Sequence, residues 1–260
     1  LLLFGGGSYD YKGNNQSAAS NPNFVMTYQT AQSIDPLTTY TTDDFFALLD
    51  NGEGNTNTNN YLDIAVGRLP VRSIAESEGV VDKIIHYDNN PATLGDWQNR
   101  LNFMADDQDN NLHLNQAEGI AATVADANPN YNVDKIYSDA YQQISTSGGS
   151  RYPDVNASIL RNIFKGSLSF CYLGHGGGDG LAQERIFTNT EILALDNSDK
   201  MPLFVTATCS FAPFDDPAYT SAGEVLILNP DGGASALLTT VRVVLADANE
   251  ALTRKTFEKL

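Results

Sequence analysis

Residues 159–173 read Ile159-Leu160-Arg161-Asn162-Ile163-Phe164-Lys165-Gly166-Ser167-Leu168-Ser169-Phe170-Cys171-Tyr172-Leu173. Ile159, Leu160, Ile163 and Phe164 recur at helical spacing, Gly166 ends the pattern, and Ser167–Leu173 is an apolar run of strand length. A helix that stops on glycine and leads into a buried strand is one step of a βαβ unit. The step repeats in both directions. Before it come a strand at Leu101–Ala105, a helical stripe of Ala117, Ile120, Ala121 and Val124, and a strand at Val133–Tyr137. After it, Thr188 and Glu191 cap a short helix, and Leu203–Thr208 reads as a strand. Ala222–Leu228 follows as a helix, Ala234–Thr240 as a strand, and a last helix starts at Asn249. The fold class is therefore α/β, with a mainly parallel sheet flanked by helices. Upstream the pattern is looser. Leu1–Phe4 reads as a buried strand, a loop rich in Asn, Ser and Thr follows, and Tyr61–Val66 reads as a second strand. Ser73 and Glu76 form a capping box ahead of Val80, Val81, Ile84 and Ile85. Asn51–Asn60 (NGEGNTNTNN) is the most biased stretch and reads as a loop.

The chain has 260 residues, 42% of them hydrophobic and 18% charged, which suits a globular domain with a large core. No apolar run is long enough to span a membrane. The chain begins without Met and stops inside a helical pattern, so a piece of a longer protein is the expectation. A net charge of −17, from 15 basic and 32 acidic residues, repels phosphate backbones, so no nucleic-acid partner is expected.

Ligands of open α/β sheets bind beyond the carboxyl ends of the strands. Two such ends carry reactive groups here: Leu173-Gly174-His175-Gly176-Gly177-Gly178, and Ala207-Thr208-Cys209-Ser210. Neighbouring strands lie about 4.8 Å apart, so His175 and Cys209 would face each other across the sheet top. A thiolate is a nucleophile, and a nearby imidazole can take its proton and return it to a leaving amine. The Gly176 and Cys209 amides are expected to form the oxyanion hole. Taken singly, a cysteine at a strand end is a small buried hydrophobe and a His-Gly pair is a turn; it is their joint placement that reads as a nucleophile and its partner. Cys171, four residues before His175, lies roughly 13 Å down its strand, out of reach of a disulfide with Cys209.

A third strand end reads Ala105-Asp106-Asp107-Gln108-Asp109-Asn110-Asn111-Leu112-His113. An acid here could orient His175; Asp107 is the first choice and Asp106 the reserve. Asp107, Asp109, Asn111, His113, Asn115 and Glu118 also fall at the ligand positions of a calcium loop, with Leu112 where that loop needs glycine. No metal or cofactor is expected in catalysis; the spacing admits a structural Ca²⁺ in this loop. His86 reads as a surface or packing residue.

Tyr172-Leu173-Gly174-His175-Gly176-Gly177 together with Thr206-Ala207-Thr208-Cys209 resembles the gingipain-type (C25) cysteine peptidases. Leu3-Phe4-Gly5 with Ser8-Tyr9-Asp10, Asp63–Pro70, Asn110–His113 and Phe214–Pro217 extend the likeness over almost the whole chain. Within the family it points to the sortases of the type IX secretion system. The resemblance implies a caspase-like fold of two adjacent subdomains, taken as residues 1–95 and 96–260, and a dyad of His175 and Cys209. It further implies an outer-membrane, cell-surface location and other type IX secretion components as partners. The reaction implied is removal of the C-terminal signal domain of exported cargo and transfer of the new carboxyl end to an anionic lipopolysaccharide. Where the family pattern has Phe-Gly-Asp, this chain has Phe4-Gly5-Gly6, so no acid stands at Gly6. A secreted gingipain-like endopeptidase and a catalytically inactive cargo-binding domain are the alternatives.

Overall fold

The computed structural model describes residues 1–14, 23–30, 39–54 and 60–259. By packing, the chain divides into two units, Leu1–Ser77 with Phe214–Thr220, and Glu78–Pro213 with Ser221–Leu260. The sequence division at residue 95 differs from this grouping over residues 78–95 and 214–220.

In the first unit, β1 (Leu2–Phe4) is followed by β2 (Tyr28–Gln29) and β3 (Thr41–Thr42), an antiparallel pair, and by β4 (Gly67–Leu69), which lies parallel to β1. The expected strand at Tyr61–Val66 is not one; the strand starts at Gly67. Asp63 is taken by loop contacts instead, its amide donating to Ala47 O and its carboxylate accepting from Leu49 N. Of β1 only Leu3 is buried. Arg68 ties the unit together with a bidentate pair to Asp43 (2.6 and 2.7 Å), bonds to the carbonyls of Gly5 and Val25, and stacking on Phe214. Arg72 donates to the carbonyl of Phe214. These two arginines explain why residues 214–220 group with the N-terminal unit.

Helix α1 (Ile74–Asn89) begins as expected, with Ser73 Oγ accepting from Glu76 N. The return half of the capping box is altered, because the Glu76 carboxylate takes the amide of Arg72 rather than that of Ser73. Its later residues belong to the second unit. There Lys83, a buried lysine, donates to the carbonyls of Ile227 (2.6 Å) and Gly232 (3.1 Å).

The second unit continues through β5 (Arg100–Ala105), α2 (Leu112–Ala127), β6 (Asn132–Tyr137), the hairpin β7 (Ile144–Thr146) and β8 (Gly149–Arg151), and α3 (Pro153–Lys165). Then come β9 (Ser169–Leu173), a small antiparallel sheet of β10 (Gly176–Gly177), β11 (Gly180–Leu181) and β12 (Phe187–Thr188), and α4 (Asn189–Leu193). The chain ends with β13 (Leu203–Ala207), α5 (Ala222–Leu228), β14 (Ala236–Leu238) and α6 (Ala246–Phe257). Five strands form one parallel sheet in the order β14-β13-β9-β5-β6. Both faces are covered at the centre, which is why β5, β9 and β13 read as near-continuous apolar runs, while the edge strands β6 and β14 are partly exposed. Alternate residues divide between the two sides. Phe170, Tyr172 and Phe204 pack with Ile159 and Ile163 of α3 and Leu226 of α5, while Cys171, Leu173 and Val205 pack with Ile120 and Val124 of α2 and Phe257 of α6. The chain runs from β6 past β5 to β9, so strand order reverses between β5 and β9, and ligands of such sheets sit at that crevice.

Candidate active site

Registers fix what meets at the sheet top. Leu173 at the end of β9 pairs with Ala105 on one side and Ala207 on the other. Two residues further along each strand stand His175 in the centre, Asp107 on one flank and Cys209 on the other. The local sequence sets these positions: an apolar run is buried to its last residue, and the next polar residues emerge where helix cover ends.

His175 is held by its backbone at both ends. Its amide donates to Asp106 Oδ2 at 2.5 Å, and its carbonyl accepts from Tyr172 OH (2.7 Å) and from Ala182 N (2.8 Å). A side chain on Gly174 would strike Tyr172 Oη and the Asp106 carboxylate, so only glycine allows this clamp. The ring of His175 is half exposed. Its Nε2 lies 2.8 Å from Asp109 Oδ2, and its edge meets the His113 ring at 5.4 Å between centroids.

The acids sort differently from the sequence expectation. Asp107 Oδ2 accepts from Tyr152 OH (2.6 Å) and Gln143 Nε2 (3.3 Å), so neither bond involves His175. The carboxylate beside the His175 ring is that of Asp109. Asp109, Asn110 and Asn111 all adopt positive φ (58°, 54° and 64°), a left-handed stretch that Asn and Asp tolerate and that turns Asp109 back toward the ring. Asp106 is buried, and burial pushes its carboxyl up from the ordinary range, opposed by the His175 amide. The calcium-loop spacing is broken because α2 begins at Leu112. His113, Asn115 and Glu118 are helical, and Glu118 is engaged by Lys135 (2.7 Å) and Tyr137 (2.9 Å).

Cys209 is half-buried, with Sγ 3.8 Å from the carbonyl of Val244; among the described residues it makes no hydrogen bond to His175. Its neighbours are fixed by the segment after β14: Ser210 N donates to Arg242 O, Ala212 N to Thr240 O, and Thr240 Oγ1 to Thr208 O. Sequence reading missed this segment, which carries no reactive motif. Gly176 opens β10, where an added Cβ would lie 2.6 Å from Thr208 Oγ1 and 3.1 Å from Gly180 O. The glycine turn borders a cavity of about 340 Å³ lined by His175, Gly177, Gly180, Gln183 and Arg185 among others. A second cavity, of about 570 Å³, shares Asp179 and Arg185 with it and includes Glu184 and Tyr152. Cys171 is fully buried, which pushes its thiol up and leaves it a packing residue. His86 pairs with Asp199 at 2.7 Å, away from the sheet top.

The model of peptidase family C25 matches residues 1–260. The chain belongs to peptidase family C25. A solved structure of the Arg-specific cysteine proteinase gingipain R (RgpB) is similar to this C25 chain with a TM-score of 0.65 at 17% identity, over 85% of this chain and 49% of that one. The complex of Porphyromonas gingivalis RgpB pro- and mature domains gives 0.59 at 17% identity, over 75% and 45%. The C25 chain thus spans less than half the length of either, and the likeness establishes the gingipain-like fold. No curated protein sequence matches it. Among the described residues no helix is long and apolar enough to cross a membrane.

Proposed function

We propose that this C25 domain is the catalytic part of a cysteine endopeptidase and transpeptidase of the PorU kind, the sortase of type IX secretion. The observation that carries the chemistry is the register. Cys209 and His175 each follow the paired residues Ala207 and Leu173 by two positions on adjacent parallel strands. In the reaction proposed, His175 takes the thiol proton and the Cys209 thiolate attacks the scissile carbonyl. The C–N bond breaks, the amine leaves with the proton from His175, and a thioester remains. With Nε2 facing Asp109, Nδ1 is the nitrogen left for proton exchange. The Gly176 and Cys209 amides are the proposed oxyanion donors.

Asp109, rather than Asp107, is the proposed orienting acid. Asp109→Asn should slow Cys209 alkylation and peptide cleavage about tenfold or more, whereas Asp107→Asn should have a smaller effect, acting through Tyr152. Equal effects from the two variants would remove that assignment.

Cargo C-terminal signal domains, an anionic lipopolysaccharide amine, other secretion components and the outer-membrane surface enter this reading through family likeness. A gingipain-like endopeptidase is the second reading, favoured by the similarity to gingipain R. Mass spectrometry of the thioester trapped on Cys209 decides between them. An acyl group ending at a cargo signal junction, resolved by added amine, supports the sortase. Fragments ending in Arg or Lys and resolved by water support the endopeptidase. Cleavage at wild-type rate by Cys209→Ala removes both.

A further inference from the structure

Beside His175 the end of β5 and the start of α2 bring further donors together. A carboxylate oxygen of Asp106 and one ring nitrogen each of His113 and His175 all lie within 4.8 Å of one another. Asp109 stands beside that set rather than within it, its Oδ2 lying 2.8 Å from His175 Nε2 and 3.4 Å from His113 Nε2. Zinc bonds of about 2.0–2.1 Å at tetrahedral angles set donor atoms about 3.3 Å apart.

Two observations point to a ligand. Asp106 is 1% exposed; Oδ2 serves the His175 amide, while Oδ1 is buried with no hydrogen-bond partner. An unsatisfied buried oxygen is costly, and a cation would satisfy it. His113 is also braced from behind. Its Nδ1 lies 3.3 Å from Gln116 Oε1, a contact in which Nδ1–H donates when Nε2 is given over to a cation. Metal-binding histidines are held by such a second hydrogen bond, which fixes tautomer and ring orientation.

We propose that Asp106, His113, His175 and Asp109 form a binding site for a divalent ion of the zinc class, and that filling it switches the peptidase off. Two imidazoles among four donors favour zinc over calcium or magnesium. The half-exposed Asp109 and His175 side chains leave a path for entry. The switch rests on His175 being the proton acceptor. A ring coordinated through Nε2 carries its proton on Nδ1, so it cannot take a second proton from Cys209, and the thiol stays protonated.

The test uses the whole domain and ZnCl₂. Isothermal titration should find one site in the wild type and in Cys209→Ala. Binding should weaken about 10–100-fold in Gln116→Ala, which leaves the four donors in place, and at least as much in His113→Asn. Unchanged binding in both variants, or loss of binding in Cys209→Ala, overturns the site. The switch is read separately, from iodoacetamide alkylation of Cys209 at pH 7. Each protein is compared with its own rate without zinc: saturating zinc should slow alkylation at least tenfold in the wild type and leave the ratio near one in His113→Asn. Zinc that binds as stated yet leaves alkylation unchanged overturns the switch. Alkylation that also survives His175→Ala unchanged shows that the dyad assignment, not the metal site, has failed.

Discussion

Lys83 gives a test of the second unit that can be worked through in numbers. The lysine is 5% exposed, and burial lowers its ammonium from 10.5 to about 8. That fall of about 2.5 pH units, at about 1.4 kcal/mol each, makes the buried charge cost about 3.5 kcal/mol at pH 7. The sign follows from proton counts. Between pH 8 and 10.5 the unfolded chain keeps the proton that the folded chain has lost, so stability rises with pH across that window. The gain is about 1.4 kcal/mol by pH 9 and about 2.5 kcal/mol by pH 10, and it vanishes below pH 7.

The perturbation is Lys83→Met, which keeps the stem but leaves the carbonyls of Ile227 and Gly232 without their donor. That loss costs about 1–3 kcal/mol and does not depend on pH, so it enters as a constant offset. Buried tyrosines also titrate above pH 9, but they are common to both proteins and cancel in the difference. Trp97 is the single tryptophan and is buried in the second unit, so its fluorescence reports urea unfolding of that unit alone. With m of about 2 kcal/mol/M, the wild-type midpoint should gain roughly 0.7 M on the variant between pH 7 and 9. A difference that stays flat from pH 7 to 10 would refute the burial of a charged Lys83 against those carbonyls.

Two other outcomes follow from the site. Gly176→Ala should destabilise the unit by about 1–3 kcal/mol and slow Cys209 alkylation, because the new methyl would meet Thr208 Oγ1 and Gly180 O. Adding Thr208→Ala should restore part of both, a coupling that independent sites would not show. Iodoacetamide followed by peptide mass spectrometry should mark Cys209 in the folded domain and Cys171 only after unfolding, since Cys171 is fully buried with its thiol pushed up; prompt labelling of Cys171 would contradict its packing role.

The second unit was legible because its signals are periodic. The three central strands of the five-stranded sheet, β5, β9 and β13, are apolar runs buried on both faces, and each intervening helix carries a stripe or a cap. Thr188 with Glu191 forms the capping box its spacing predicts, and Gly166 ends α3 with φ of 93°. The first unit was harder to read. Asp63-Ile64-Ala65-Val66 has strand composition, yet Ile64 is exposed and the paired residues are the next three, Gly67–Leu69. There the hydrogen-bonding partner sets the strand, and β1 offers only three residues to pair. Composition cannot express that choice. The hairpin β7–β8 and the small β10–β12 sheet escaped for the same reason, being short and rich in glycine and polar residues.

At the site, sequence could say which strands end near one another but not which way a loop turns. Asp106, Asp107 and Asp109 are three acids within four positions, and each ends with a different partner. Asp106 takes the His175 amide, Asp107 the Tyr152 hydroxyl and Asp109 the His175 ring. The discriminating feature is the left-handed run from Asp109 to Asn111, which reverses the chain just before α2 and sets His113 one helical turn beyond Asp109. Asp-Asn-Asn is a composition that tolerates such a run without requiring it. The i,i+4 spacing of Asp109 and His113 was visible, but it reads as a helix-face pair only once the helix is known to start at Leu112. The calcium-loop spacing and the helix-start reading draw on the same residues, and Leu112 at the glycine position separates them. A leucine there cannot make the loop's sharp turn at low cost, but it can open a helix. The residue that weakened the calcium reading therefore also places His113 against His175.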